Sequence, residues 1–205
     1  MPTGMPLPWH DRHSANRLPE GAWHEGALDV PISINVFPRH LKSPTFIEDL
    51  RNAVVRHWPE MPGRRLLMEI VETSDLEELA PIESVIVECL AMGIGFSLDD
   101  FGTGYSSLVY LRRLSVEELK IDQSFVRGML EDAEDQAIVE GVIGLGRAFG
   151  LRVVAEGVES ELQARNLVAR GCAVVQGYGF GRPMPAGELE TWHLEFQAHR
   201  MPSCP

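Results

Sequence analysis

Residues 94–122 read IGFSLDDFGTGYSSLVYLRRLSVEELKID. A short apolar run, Ile94–Leu98, closes on Asp99 and Asp100. A Gly/Ser loop then leads into a helical segment at 106–114, and a second apolar run, Leu119–Ile121, closes on Asp122. Strand, helix, strand in that order makes a β-α-β unit, whose crossover leaves the two strands parallel. The same alternation extends in both directions. Further apolar runs lie at Val30–Phe37, Leu66–Val71, Arg152–Ala155 and Ala173–Val175, mostly rich in β-branched residues and poor in charge, as expected of strands buried on both faces. Helical segments are expected at 45–58, 75–91, 134–149, 158–169 and 186–197. Pro44 and Ser74 stand where helices should begin, and Gly93, Gly150 and Gly171 just past where they should end. Six strand-then-helix units in a row require a parallel sheet, either open and doubly wound or closed into a barrel.

The polar residues favour the barrel. Asn35 lies near the end of the first run, Glu69 and Glu72 close the second, and Asp99 and Asp100 the third. Lys120 and Asp122 belong to the fourth, Glu156 and Glu159 follow the fifth, and Gln176 follows the sixth. In parallel α/β folds the C-terminal strand ends share one face, and that face carries the site. Six contributions converge in a barrel mouth, whereas an open sheet would spread them along a line. Each has a plainer reading alone: a strand-end Asn or Glu is often a helix cap, and two Asp before Phe-Gly can form an ordinary turn. A Lys inside a strand is harder to dismiss, because a buried ammonium requires partners. Burying so many charges costs several kcal/mol each unless a counter-ion is present. A cluster of Asn, Glu and Asp oxygens suits hard cations such as Mg²⁺ or Mn²⁺. The loop Asp100–Ser107, with Gly102, Tyr105 and Ser106, permits close backbone approach and offers donors to phosphate, although it is not a P-loop.

The bulk numbers bound the function. The chain has 205 residues and a net charge of −12, with a pI near 5.0. This argues against a binder of duplex nucleic acid, which needs a basic face. A phosphate ligand remains compatible, because bound cations supply local positive charge. Cys89, Cys172 and Cys204 form no CxxC pair and no even framework, so reduced thiols in the cytoplasm are expected. No apolar run approaches the ~18 residues of a membrane span, and Met1–Trp9 lacks the pattern of a signal peptide. Residues 1–29, with Pro2, Pro6, Pro8 and Pro19, read as an irregular lead-in to a domain over 30–197, followed by a tail at 198–205.

Five blocks in this order resemble the EAL family of cyclic-di-GMP phosphodiesterases. They are Glu69-Ile70-Val71-Glu72, Asp99–Ser107, Lys120–Val126, Ala155-Glu156-Gly157-Val158-Glu159 and Gln176-Gly177-Tyr178. The resemblance runs from about residue 30 to 190. It implies a modified TIM barrel that hydrolyses cyclic-di-GMP to linear pGpG with two Mg²⁺ or Mn²⁺ ions. It implies Asn35, Glu69 and Asp99 around one metal, and Asp99, Asp100 and Glu156 around another, with Asp122 assisting nearby. Lys120 would contact the attacking water, and Glu72 would hold the Asp100–Ser107 loop. Glu159 and Gln176 would anchor strands or touch the ligand. A homodimer and a sensor or regulatory partner are also implied.

The same comparison predicts a departure. The family's Glu-Ala-Leu motif, with its metal-binding Glu and an Arg after it, has no counterpart far enough before Asn35. Glu25-Gly26-Ala27-Leu28 lies only ten residues upstream of Asn35. Against the ~250 residues of a typical barrel, the expectation is a barrel incomplete at its N-terminus, lacking the first strands and a helix, with an open seam. Three accounts follow: a fragment of a longer protein, closure by a partner chain, or a shortened relative without turnover. The last makes a non-catalytic cyclic-di-GMP receptor or interaction module the alternative to the phosphodiesterase. Low or absent activity in isolation is the expectation.

Overall fold

A computed structural model of the chain describes residues 31–57, 66–71, 79–103 and 107–198. The lead-in over 1–29, Ser74 and the tail past residue 198 lie outside the described residues. The chain divides into two compact units, residues 31–182 and a second formed by 1–30 with 183–205. In the second, a 3₁₀ turn at Ala186–Glu188 precedes a helix at Leu189–Ala198, where the Trp192 and Phe196 rings stack with centroids 5.1 Å apart.

Residues 31–182 form a six-stranded sheet in strict chain order. The strands are β1 (Ile32–Val36), β2 (Leu66–Val71), β3 (Ile94–Phe101), β4 (Glu118–Ile121), β5 (Arg152–Ala155) and β6 (Val174–Val175). Every neighbouring pair is parallel. A doubly wound sheet reverses its strand order at a switch point. Among the described residues none occurs, so the sheet has the order of a (β/α)-barrel wall. Among the described residues β1 pairs only with β2, and β6 only with β5.

Burial follows position in the sheet. β4 is buried along its length and β3 at all but Asp100, whereas β1 alternates between half-buried and exposed positions before ending on buried Val36. That is the difference between central strands covered on both faces and an edge strand. The helices bury one stripe each. In α3 (Leu79–Ala91) it is Ile82, Ile86 and Cys89; in α6 (Ala133–Phe149) it is Val139, Val142, Ile143 and Gly146. These spacings of three, four and seven are the apolar face of a 3.6-residue period. At Gly146 a Cβ would lie 2.1 Å from Val153 Cγ2, so the small residue lets α6 lie close against β5. Cys89 and Cys172 are unpaired and buried, and burial pushes the Cys89 thiol up to about 12.

The strand and helix pattern read from the sequence matches these elements, with α2 at Phe46–His57, α4 at Ser107–Arg113 and α7 at Glu161–Arg170. Gly150 and Gly171 cap α6 and α7 in the left-handed region, as expected. Three differences have physical causes. β3 runs on through Asp99 and Asp100 to Phe101, because a register shift between Leu98 and Phe101 absorbs the polar pair. Two further helices, α1 (Pro38–Leu41) and α5 (Gln123–Gly128), are too short for a periodic signal. α7 starts at Glu161 rather than 158, because Ser160 and Gln163 form a reciprocal capping box.

Candidate active site

The site is built on Lys120. This residue sits inside β4 with only 4% of its side chain exposed, and its Nζ faces carboxylates carried by β2, β3 and the end of β5. Glu69 Oε2 on β2 lies 2.9 Å away, Asp99 Oδ1 on β3 lies 3.1 Å away, and Glu156 Oε1 just past β5 is in contact. The backbone ladder carries two residues beyond the strand ends. The Glu156 N–H donates to Ile121 O at 3.1 Å, and the Gln176 N–H donates to Ala155 O at 2.9 Å. Gln176 Nε2 then donates at 2.7 Å to Glu156 Oε1, the same oxygen that meets Lys120.

Asp99 and Asp100 are consecutive, and in a regular strand they would point to opposite faces. The shift in register at this point, with Asp100 at φ 53°, breaks that alternation. One oxygen from each of Asp99, Asp100 and Glu156 therefore falls within 4.8 Å of the others, an arrangement able to hold a metal ion. Asp122 serves a second purpose here. It caps α5 by accepting the Ser124 N–H at 3.0 Å, and its carboxylate meets Asp100.

The electrostatics follow from burial. Desolvation, then the charge of Asp99 and a hydrogen bond to Asp122, lift the Asp100 carboxyl up to about 6. Burial lifts Glu156 up to about 7, against the pull of Lys120. Burial alone would depress the Lys120 ammonium, but Glu69, Asp99 and Glu156 outweigh it and hold it above the usual lysine range. Burial opposes ionisation of Asp122 as well, yet hydrogen bonds from Ser124 bring its carboxyl below the ordinary value.

Two observations show that these residues fit a divalent cation. Asp99 Oδ1 is fully buried and accepts no hydrogen bond, since the ammonium 3.1 Å away approaches outside hydrogen-bonding geometry. In addition, three carboxylates around one ammonium leave a formal excess of negative charge in a nearly closed place.

The remaining residues singled out in the sequence fall as follows. Asn35 is exposed on β1, in register with Glu69. Gly102 is exposed just past β3 at φ 104°, and a Cβ there would meet Phe125 Cε2 at 3.0 Å. Glu159 is half-exposed, with its carboxylate 3.9 Å from Arg127. Glu72, Tyr105, Ser106 and Glu25–Leu28 lie outside the described residues.

The sequence reading missed two supports. Gln163 is buried and its Oε1 accepts the N–H groups of Glu159 and Ser160, which fixes the segment after Glu156. The signal was legible as Ser160-x-x-Gln163 ahead of an apolar stripe. Gly177 permits the strand-end loops to touch, since a Cβ there would lie 2.3 Å from the Val158 backbone. No pattern in the sequence points to that contact.

The family profile described as the EAL domain matches residues 17–183. The chain belongs to the EAL-domain family. It is 43% identical over 169 residues to a bifunctional diguanylate cyclase/cyclic di-GMP phosphodiesterase, MucR, of Pseudomonas aeruginosa, which covers 82% of this chain and 24% of that protein. A cyclic di-GMP phosphodiesterase of the same organism is 33% identical over 184 residues, 90% of this chain and 31% of its own length. This EAL domain thus spans about a quarter to a third of these curated relatives. Among solved structures, a MucR phosphodiesterase in complex with c-di-GMP superposes with a TM-score of 0.75 at 39% identity, over 83% of this chain and 68% of that one. The EAL domain of Mycobacterium smegmatis DcpA superposes with a TM-score of 0.79 at 33% identity, over 89% and 80%. The fold is accordingly the modified TIM barrel of EAL domains. Among the described residues no helix is long and apolar enough to cross a membrane.

Proposed function

We propose that this EAL domain hydrolyses cyclic-di-GMP to linear pGpG with the help of divalent cations, Mg²⁺ or Mn²⁺, in bacterial second-messenger signalling. The observation that carries the reading is the buried cluster of Glu69, Asp99, Asp100 and Glu156 around Lys120, gathered from adjacent strand ends with one carboxylate oxygen left without a hydrogen bond. Relatives named as cyclic di-GMP phosphodiesterases, and a neighbour solved with c-di-GMP, support the choice of substrate.

In this reading Asn35, Glu69, Asp99, Asp100 and Glu156 would hold two cations. Such a pair, when bound, supplies an acidified water and positive charge at the phosphodiester. The protein's own groups do the rest. Lys120 offers N–H donors to the attacking water and the phosphate, and Gln176 orients Glu156 by its 2.7 Å bond. Asp122 holds Asp100 in place while capping α5. By the family resemblance Gly102, Tyr105, Ser106 and Glu159 would serve the ligand, and Glu72 would hold the Asp100–Ser107 loop. A homodimer and a regulatory partner belong to the same proposal.

The test is incubation of the purified chain with cyclic-di-GMP and Mn²⁺, followed by chromatographic separation of the nucleotides. At most slow formation of pGpG is expected, in keeping with the low activity in isolation anticipated from the sequence, and Glu156→Ala should abolish it by removing a cation ligand. Absence of pGpG, with the dinucleotide still bound, would turn the reading to a receptor.

A further inference from the structure

The cluster holds a positive charge of its own. Lys120 Nζ lies 2.9 Å from Glu69 and 3.1 Å from Asp99, and it touches Glu156. Asp99 and Glu156 are also two of the three residues whose oxygens come within 4.8 Å of one another with Asp100. The ammonium and a divalent cation therefore draw on the same two carboxylates. Two positive charges a few ångströms apart in a buried place repel strongly. The lysine cannot withdraw to solvent, since only 4% of its side chain is exposed and β4 is buried on both faces.

We propose that Lys120 is the resident counter-ion of the metal-free site. It keeps the carboxylates assembled when no metal is bound, and its charge competes with the metal, which sets the divalent-ion concentration at which the site fills. Lys120 is in this respect a positioning residue, distinct from any contact it makes with water. The proposal rests on the metal-dependent reading above. Its physical basis is that three carboxylates, Glu69, Asp99 and Glu156, meet one ammonium, with the Asp100 carboxylate beside two of them. Without that ammonium they would repel one another and bind a dication more tightly. With it the metal-free site is stable and the metal binds less tightly.

The experiment measures Mn²⁺ binding to the full chain by calorimetry and by loss of the free-ion magnetic resonance signal, without substrate. The proteins are the parent, Lys120→Met and the charge-retaining Lys120→Arg. A thermal melt in chelator accompanies each titration. The expected result is that Lys120→Met binds Mn²⁺ about tenfold or more tightly than the parent, although its metal-free form melts at lower temperature. Lys120→Arg should show no gain in affinity. Lys120→Gln, which keeps donors for the carboxylates, serves if the methionine variant does not fold. Equal or weaker Mn²⁺ binding by the neutral variants, with the parent binding normally, would overturn the proposal while leaving the metal-dependent reading intact. No Mn²⁺ binding by any of the proteins would overturn both.

Discussion

Asp100 is the only residue other than glycine, among those described, with a positive φ. A left-handed backbone at a side-chain-bearing residue costs roughly 1 kcal/mol or more, and Asn and Asp tolerate it best. The conformation brings the Asp100 carboxyl beside Asp99 and Glu156, where burial lifts it to about 6. Strain and desolvation are both concentrated on one side chain, which in the proposed reading would supply a ligand oxygen. Two substitutions separate these terms. Asp100→Asn keeps the backbone preference and a donor toward Asp122 while removing the charge. Without metal above pH 7 it should be at least as stable as the parent, with Mn²⁺ affinity reduced about tenfold or more. Asp100→Ala should lose the affinity too and be less stable than Asp100→Asn by about 1 kcal/mol. Chemical denaturation in chelator and calorimetry with Mn²⁺ read the two effects. An Asp100→Asn protein much less stable than Asp100→Ala would contradict the account.

At the level of elements, the strand-end segments are held by helix starts. The Ser160 and Gln163 box caps α7, and Gln163 also reaches Val126 O in α5 at 3.3 Å. One buried amide thus ties the start of α7, the loop after Glu156 and the helix that Asp122 begins. Ser160→Ala should cost about 1 kcal/mol of stability, the usual worth of an N-cap. Ser160→Asp, which can accept the same N–H beside the positive helix end, should recover most of it. Melting curves of the two variants decide this, and equal losses in both would show that the hydroxyl does not act as a cap.

For the molecule as a whole, the buried carboxyls make stability depend on pH in a direction that metal should reverse. Glu156 is lifted from an ordinary 4.5 to about 7, and Asp100 from 3.8 to about 6. The metal-free folded protein therefore holds protons that the unfolded chain has released, and stability falls as pH rises through this window. Asp122, whose carboxyl is lowered, acts the opposite way, but only on acidification towards its ordinary 3.8. Lys120, raised above the lysine range, loses its contribution only in strong alkali. From pH 5 to pH 8 in chelator the loss should be on the order of 3 kcal/mol, seen as a melting temperature lower by about 5–10 °C. Saturating Mn²⁺ binds the ionised carboxylates and should flatten or invert the slope. A metal-free melting temperature that rises over this range would refute the assignment of buried, proton-holding carboxyls.

Much of the architecture was legible in the chain because it depends on local periodicity. The alternation of apolar runs with amphipathic stretches marked all six strands, and Gly150 and Gly171 marked helix ends, since only glycine enters the left-handed cap without cost. Polar residues at the ends of those runs pointed to Glu69, Asp99, Lys120 and Glu156, which come together in the structure, because parallel strands present their C-terminal ends on one face. Long-range packing settled the rest. Nothing local shows that Lys120 has three carboxylate partners, or that two adjacent aspartates turn to one side, since both depend on strand register and one left-handed residue. The double duty of Asp122, as partner of Asp100 and helix cap, likewise appears only once α5 is placed. A sequence carries the chemistry of each side chain, while the distances that make those groups share charge arise only when separate strands pack together.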